Sequence, residues 1–418
     1  MGAAARGVPA RDLDRLSAGR LGIYIDAPFR VVEGVAAVHP ADFALVGVFL
    51  AEVGRHFDSL VLFGRAERSD DLDVFVPLPG NVELVELPHY GGLLELHRVL
   101  GASFGTARRF WRGLDDLDTV WLFGPHPFAL LLIALALLRR KQSVLGVRQD
   151  TMAYFRSRLP SRWWAPALLP AFLLDWTFRL LARRLKTLVA GAEIARRYGG
   201  ERERLLVMAD SVVRRRELAS GPRRRNESGP IRLLTVGRLD PEKNPLLLVE
   251  GLAKLDREEP GRYRLLWIGG GPLEERVRAR AAERGVLHAL ELAGWLPFGP
   301  KLLDLYRRAD AFVHVSFTEG VPRVLFEALA CAAPIVATDV GGVRAALDDG
   351  AAGVLVPVDD VDALVAAVRL VVDDRALRDR LVRRGLELAR ERTLEHQAAR
   401  VAAFISGSGE IDEAREAA

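Results

Sequence analysis

Short apolar runs alternate with longer amphipathic stretches along most of this chain. In the second half the runs fall at residues 232–236, 265–268, 290–293, 311–315, 335–338 and 352–356. Each has strand length. The stretches between them, such as 246–255 and 273–284, repeat apolar residues at helical spacing. Strands alternating with helices predict an α/β fold, a parallel doubly wound sheet that takes ligands at the carboxyl ends of its strands. The first half repeats the alternation more loosely. Strands are expected at 21–25, 59–63, 119–123, 143–147 and 187–190, and helices at 43–53 and 128–138. Segments 73–76 and 82–87 read as further strands, on an edge given the prolines nearby. Residues 26–40 read as a loop. Residues 211–229 are polar and poorly periodic and read as a linker. The pattern thus predicts a first domain over 1–210, a linker over 211–229, a second domain over 230–392, and a flexible tail over 406–418.

The polar residues that interrupt this pattern cluster at predicted strand ends. Strand 232–236 runs into Gly237-Arg238-Leu239-Asp240-Pro241-Glu242-Lys243-Asn244 and then a helix. A strand, a glycine loop bearing Arg and Lys, and a helix start describe a phosphate cradle; a solvated basic turn is the plainer alternative. Lysine is scarce here: five of the 59 basic residues, the other 54 being arginine. That scarcity makes Lys243 a poor candidate for filler. Gly269-Gly270-Gly271 follows the next strand, and glycine there permits close approach to backbone. Glu319 and Glu327 flank Gly320-Val321-Pro322 and a predicted helix start, with Pro322 suited to the first helical position. The two carboxylates lie up to roughly 12 Å apart along such a helix, about the span from a sugar to a ribose across a diphosphate. Two solvent-facing glutamates are the alternative.

Taken in order, Val-Gly-Arg-Leu-Asp-Pro-Glu-Lys-Asn at 236–244, Ile-Gly-Gly-Gly-Pro at 268–272, Glu319 with Glu327, and Pro-Ile-Val-Ala-Thr at 334–338 resemble glycosyltransferase family 4. The likeness covers residues 231–405. It implies GT-B architecture: two Rossmann-like domains facing each other across a cleft, with helix 393–405 packing back on the first. It implies that Arg238 and Lys243 bind a donor diphosphate beside Gly237, Gly270 and Gly271. Glu327 would hold the ribose. Glu319 would contact the transferred sugar with backbone near Gly320, Val321 and Pro322, and Trp295 and Leu296 would lie beside the base. His126, at a strand end before a proline and a helix, matches a family histidine that faces the donor sugar; a structural histidine is the alternative. The family's paired glycines in the first loop are missing, with Gly34 alone in 26–40. Asp26, Arg148 and Asp150 are acceptor-side or cleft candidates by topology only.

The resemblance implies retaining transfer of a hexosyl unit from a UDP- or GDP-sugar to a glycan, lipid-linked or small-molecule hydroxyl, with no cofactor or metal. A sugar-nucleotide epimerase of similar fold and a non-catalytic sugar-nucleotide-binding subunit are the rivals. Composition agrees with a globular protein of 418 residues, half hydrophobic and about a quarter charged. The single cysteine, Cys331, rules out an intramolecular disulfide framework and reads as a buried thiol in a reducing compartment. No signal-like apolar core opens the chain, which suggests a cytoplasmic location. Asp71/Asp73 and Asp116/Asp118 form two DxD-like triplets outside a metal-binding context. Residues 154–186 interleave arginines, tryptophans and leucines in a manner suited to an anionic membrane surface. The basic pI of about 9.4 comes without a nucleic-acid-binding motif, so nucleic acid is not expected.

Overall fold

The structure is a computed structural model. It describes residues 19–32, 35–38, 44–68, 76–78, 80–91, 95–148, 152, 168–199, 203–208, 211–224, 229–320 and 322–407. The positions Asp71, Asp73, Asp150, Trp163, Trp164 and Val321 lie outside these residues, as does the tail beyond Gly407.

The first sheet comprises β1 (Arg20–Val32), β2 (Val35–Val38), β3 (Ser59–Arg68), β4 (Val76–Pro77), β5 (Val82–Leu87), β6 (Thr119–Gly124), β7 (Gln142–Val147), β8 (Lys186–Ala190) and β9 (Leu205–Met208). They run in the order β4-β2-β1-β6-β7-β8-β9, with β3 beside β1 and β5 beside β3. Among the described residues five helices intervene: α1 (Ala44–Gly54), α2 (Leu96–Gly113), α3 (Pro127–Leu138), α4 (Leu169–Ala182) and α5 (Ala192–Tyr198). The central strands are buried nearly end to end, as in β6 and β7. Continuous burial explains why they read as unbroken apolar runs and not as alternation.

The structure departs from the pattern in several places here. The predicted loop 26–40 is largely strand: β1 continues to Val32, and β2 folds back antiparallel against Phe29–Val32. The register of β1 on β3 shifts between Tyr24 and Pro28, so residues Ile25, Asp26 and Ala27 bulge opposite Gly64. Polar and proline residues hid this strand because a bulge needs no alternation. Helices α2, α4 and α5 and strand β9 were not expected at all. The buried positions of α2 include the small residues Ala102 and Thr106, which carry little hydrophobic signal.

The second sheet is parallel in every pair and ordered β12-β11-β10-β13-β14-β15. Its strands are β10 (Ile231–Val236), β11 (Tyr263–Ile268), β12 (Leu290–Leu292), β13 (Ala311–His314), β14 (Ile335–Thr338) and β15 (Val354–Val356). The helices that follow are α6 (Pro245–Glu258), α7 (Glu274–Glu283), α8 (Pro300–Arg308), α9 (Arg323–Ala330), α10 (Val343–Ala346), α11 (Val361–Asp373), α12 (Arg375–Arg390) and α13 (Leu394–Ser406). One core layer joins Leu248 and Leu252 of α6 and Val365 and Val368 of α11 to Leu233 and Leu265. The other joins Tyr306 of α8 and Leu325 and Leu329 of α9 to Leu234 and Phe312. The helix after Glu319 starts at Arg323, and Pro322 occupies the extended cap position before it, one residue from the expected place.

Residues 211–224 are not a free tether. Val213 is buried in the core of the second sheet, Ala219 N–H donates to Ala330 O at 2.8 Å, and Arg223 pairs with Asp310 at 2.9 Å. A few apolar anchors suffice to hold a segment whose composition reads as linker. The chain divides into two compact units, Met1–Val144 with Ala402–Ala418, and Leu145–Val401. That division falls within β7, whereas the two sheets are separated in sequence between Met208 and Ile231. Among the described residues no helix is long and apolar enough to cross a membrane.

Candidate functional site

At the carboxyl end of β10 the chain turns through Gly237 into a short 3-10 helix, Pro241–Lys243, and then α6. Asn244 joins the two in a left-handed conformation (φ 43°), a state Asn tolerates. Its amide donates to Asp359 at 3.2 Å. Arg238 is mostly exposed and pairs with Asp240 (3.0 Å) and Glu242 (2.6 Å). Lys243 instead turns inward to Glu319 at 2.5 Å. Arg238 and Lys243, which read alike in sequence, therefore occupy different environments.

The triple glycine answers to the protein's own backbone. A Cβ on Gly269, which has φ +133°, would stand 2.0 Å from Gly237 O; one on Gly271 would stand 2.4 Å from Leu239 O. Gly269 N–H donates to Gly294 O and Leu239 N–H to Gly270 O, so three strand-end loops are laced together. Gly237 and Gly270 have open space where a side chain would be, the nearest atom to a Gly270 Cβ being Glu274 Oε2 at 4.0 Å. Of the three glycines expected from the sequence to lie beside a donor, Gly271 is accounted for by packing, while Gly237 and Gly270 face free space. Trp295, just beyond Gly294, is 63 % exposed, and Leu296 packs against the core.

Glu319 sits in the loop after β13 and gathers three partners on one oxygen. Lys243 Nζ, Ser316 Oγ (2.7 Å) and His314 Nε2 (3.0 Å) all meet Oε1. Burial opposes ionisation of this carboxyl, but His314 and Lys243 close beside it outweigh burial, bringing its pKa down to about 2. The backbone here is fixed as well. Ser316 N–H donates to Thr338 Oγ1, which donates in turn to Ser316 O. Gly341 (φ +49°) leaves room for the Glu319 carbonyl, which a Cβ would meet at 1.9 Å.

Glu327 is the opposite case. It lies inside α9, buried, and one of its oxygens accepts from Tyr306 OH at 2.9 Å. Burial raises its pKa, against the smaller opposing effects of the Tyr306 hydrogen bond and the Arg323 charge. One turn on, Cys331 is buried too, with its thiol pushed up to about 12 by burial, so it carries no thiolate.

A second constellation belongs to the first sheet. His126 caps α3 after the cis Gly124–Pro125 bond. Its Nε2 lies 3.2 Å from Asp26 Oδ2 and its Nδ1 3.4 Å from Tyr24 OH. The β1 bulge presents Asp26 to this histidine. Asp26 Oδ1 also accepts from Tyr90 OH (2.6 Å) and pairs with Arg65 Nε (2.8 Å). Burial resists the Asp26 charge, yet His126, Arg65 and Tyr90 together lower its pKa. Arg65 stacks over the Tyr90 ring at 4.3 Å and donates to the Tyr90 carbonyl. Arg148 follows β7 and is half-buried.

The structure thus joins Lys243 to Glu319 and His126 to Asp26. Sequence reasoning missed His314 and Ser316 beside Glu319, Tyr306 beside Glu327, and Tyr24, Arg65 and Tyr90 around Asp26 and His126. His314 and Ser316 had a usable signal, since both stand at a strand's carboxyl end within five residues of Glu319. Tyr90 had none.

Residues 221–387 match the family described as "Glycosyl transferases group 1". Glycogen synthase of Mycobacterium tuberculosis is 38 % identical over 160 residues, 38 % of each chain. D-inositol 3-phosphate glycosyltransferase of Nocardia farcinica is 34 % identical over 208 residues, 45 % of this chain and 44 % of that one. The chain spans less than half the length of these curated relatives. Across the whole fold, the sucrose-phosphate synthase structure from Thermosynechococcus elongatus aligns with TM-score 0.63 at 16 % identity, covering 92 % of this chain and 98 % of that one. The lipopolysaccharide outer core galactosyltransferase WaaB aligns with TM-score 0.66 at 14 % identity, covering 93 % and 100 %. Anabaena HepE, solved with UDP and glucose, aligns with TM-score 0.62 at 16 % identity, covering 93 % and 100 %. The architecture is that of the GT-B glycosyltransferase structures: α/β, with two parallel-sheet domains.

Proposed function

We propose that this protein is a retaining glycosyltransferase of family 4 that moves a hexosyl unit from a UDP- or GDP-sugar to an acceptor hydroxyl. The observation that carries the reading is the Lys243–Glu319 pair. A scarce lysine from the β10 loop and a carboxylate from the β13 loop meet at the carboxyl ends of neighbouring parallel strands. A Lys ammonium has three donors, so one engaged by Glu319 leaves two for a diphosphate. Arg238 exchanges its carboxylate partners for phosphate oxygens or shares its five donors with them. Glu319, held ionised, accepts from hydroxyls of the transferred sugar. Glu327 orients the ribose, with Tyr306 fixing its rotamer. Trp295 and Leu296 border the base. His126 faces the donor sugar, as the histidine it resembles does, and Asp26, 3.2 Å from its ring, is the acceptor-side candidate.

In this mechanism the bond between the anomeric carbon and the diphosphate oxygen breaks as the acceptor oxygen bonds to the same face. The acceptor's proton passes to the departing phosphate. Lys243 and Arg238 stabilise the charge that develops there, and no metal is needed to do so. The acceptor is a glycan, lipid-linked or small-molecule hydroxyl.

Incubation with a panel of UDP-, GDP- and ADP-sugars tests the reading, with slow donor hydrolysis as the readout and the anomer released followed by NMR. Release of the retained anomer from one donor is expected. Lys243→Ala is expected to lower turnover by roughly tenfold or more, the worth of one charge-assisted contact. No hydrolysis of any donor, or undiminished turnover in Lys243→Ala, would overturn the proposal. Binding without turnover favours the non-catalytic subunit, and conversion of the intact donor to an epimer favours the epimerase.

A further inference from the structure

Helix α4 is apolar on its outward side as well as its inward one, where Phe178 and Ala182 are buried. Its inward side carries Asp175, which is buried and held by Arg179 (3.0 Å), Arg197 (3.2 Å) and Tyr198 OH (3.0 Å). Its outward side is apolar. Leu169, Phe172, Leu173, Trp176 and Leu180 are 42–58 % exposed. At 100° per residue these five positions fall within one arc of about 100°. Single exposed leucines are ordinary, but a whole helical face of large apolar side chains is not.

The charges that the helix and its C-terminal end carry beside this stripe are of one sign. Arg179 lies on its flank, and Arg183 and Arg184 are exposed at the C-terminal end. From residue 168 to residue 186 four bases stand against one acid, a balance of +3, and the one acid is the buried Asp175. A protein partner would be expected to meet some carboxylate of its own kind here. An anionic bilayer needs none: its headgroups take the arginines, its acyl boundary takes Leu and Phe, and Trp prefers the interface between them. Fourteen residues make a helix about 21 Å long, too short to cross the roughly 30 Å hydrocarbon core. The geometry therefore calls for a helix lying in the plane of the surface.

We propose that α4 is an interfacial membrane-binding element that inserts Leu169, Phe172, Leu173, Trp176 and Leu180 into an anionic leaflet, with Arg183 and Arg184 on the headgroups. The proposal stands apart from the transferase reading, because no residue of the nucleotide-sugar site takes part.

Flotation of the full chain with vesicles of phosphatidylglycerol and phosphatidylcholine tests it, with pure phosphatidylcholine vesicles as the comparison. Binding is expected to the anionic vesicles at low salt and to fall steeply as salt rises. Phe172→Ser with Trp176→Ser should abolish flotation while leaving the thermal transition in place, since both side chains already face water. Arg183→Gln with Arg184→Gln should weaken partitioning roughly tenfold or more. Brominated lipid should quench a fraction of the fluorescence that is lost in Trp176→Phe. Absence of flotation, or flotation unchanged in the Phe172/Trp176 variant, would overturn the proposal. So would a concentration-dependent dimer that the same variant dissolves without any vesicle binding, which would assign the face to a second copy of the chain.

Discussion

Glu319 and Glu327 look like a matched pair of carboxylates, and the fold makes them opposites. Glu319 carries its charge on a ring of donors; Glu327 sits in a helix packed on both sides, with one phenol to meet it. The difference has a sign in the dependence of stability on pH. The folded pKa of Glu319 lies below its ordinary value of 4.5, at about 2. Its contribution is fully present above pH ~4.5 and is lost as pH falls toward 2, amounting to at most about 3 kcal/mol. Glu327 is raised, so the fold favours its protonated form, and that contribution is lost as pH rises above 4.5. Urea unfolding of two variants across pH checks this. Glu319→Gln should lose stability at pH 7, with the deficit closing toward pH 2–3. Glu327→Gln, which still accepts from Tyr306, should match or exceed the parent at pH 7. Glu327→Leu strands the Tyr306 hydroxyl and should cost about 1–3 kcal/mol. A stability deficit of the same size in both Gln variants at pH 7 would remove the asymmetry. None of it was legible in the spacing of the two residues, because His314 and Tyr306 reach them only through the fold.

At the scale of elements, the sequence showed where loops follow strands but not what each loop holds. Strands β10 to β15 could be read because parallel central strands are continuous apolar runs and the intervening helices keep a clean period. The first sheet was harder. The bulge in β1 breaks its period, and Asp26 stands in that bulge, so the residue that receives His126, Arg65 and Tyr90 lay in an apparent loop. Helix α2 turns small residues toward the core. The glycines show the same limit: a run of three looks like room for a ligand, yet Gly269 and Gly271 make room for Gly237 and Leu239. Two alanine substitutions separate these roles. Gly269→Ala places a Cβ 2.0 Å from a carbonyl oxygen at a positive φ and should cost about 2–4 kcal/mol. Gly270→Ala meets no atom closer than 4.0 Å and should leave the melting temperature within a few degrees, while weakening binding of a nucleoside diphosphate if that ligand passes over the strand end. Equal destabilisation by the two would show that the loops repack and that the close approach is not what requires glycine.

On the scale of the whole molecule, charge could act in two ways. The chain carries a net charge of only +4, although 59 residues are basic, because 55 acids offset them. Long-range attraction of an anionic ligand is therefore weak, and recognition must come from where bases stand close to a ligand. The ion pairs support this. Many arginines are spent on neighbouring carboxylates, as in Arg280 and Arg284 with Glu250 or Arg344 with Asp339. Two places bear on recognition: the Arg238–Lys243 loop, whose cations also meet carboxylates but stand at a strand end beside open glycine, and the end of α4, where Arg183 and Arg184 border an apolar stripe. If recognition is local, each place should answer to its own ligand and not to the other's. A nucleoside diphosphate at 100 times its dissociation constant should stabilise the folded protein by about 2.7 kcal/mol, read as a rise in thermal transition with added UDP or GDP. Lys243→Ala should remove most of that rise at the same nucleotide concentration and leave vesicle flotation as it was. Arg183→Gln with Arg184→Gln should weaken flotation and leave the nucleotide-induced rise intact. If both variants weaken both ligands equally, net charge governs binding, and neither cluster is a site in its own right.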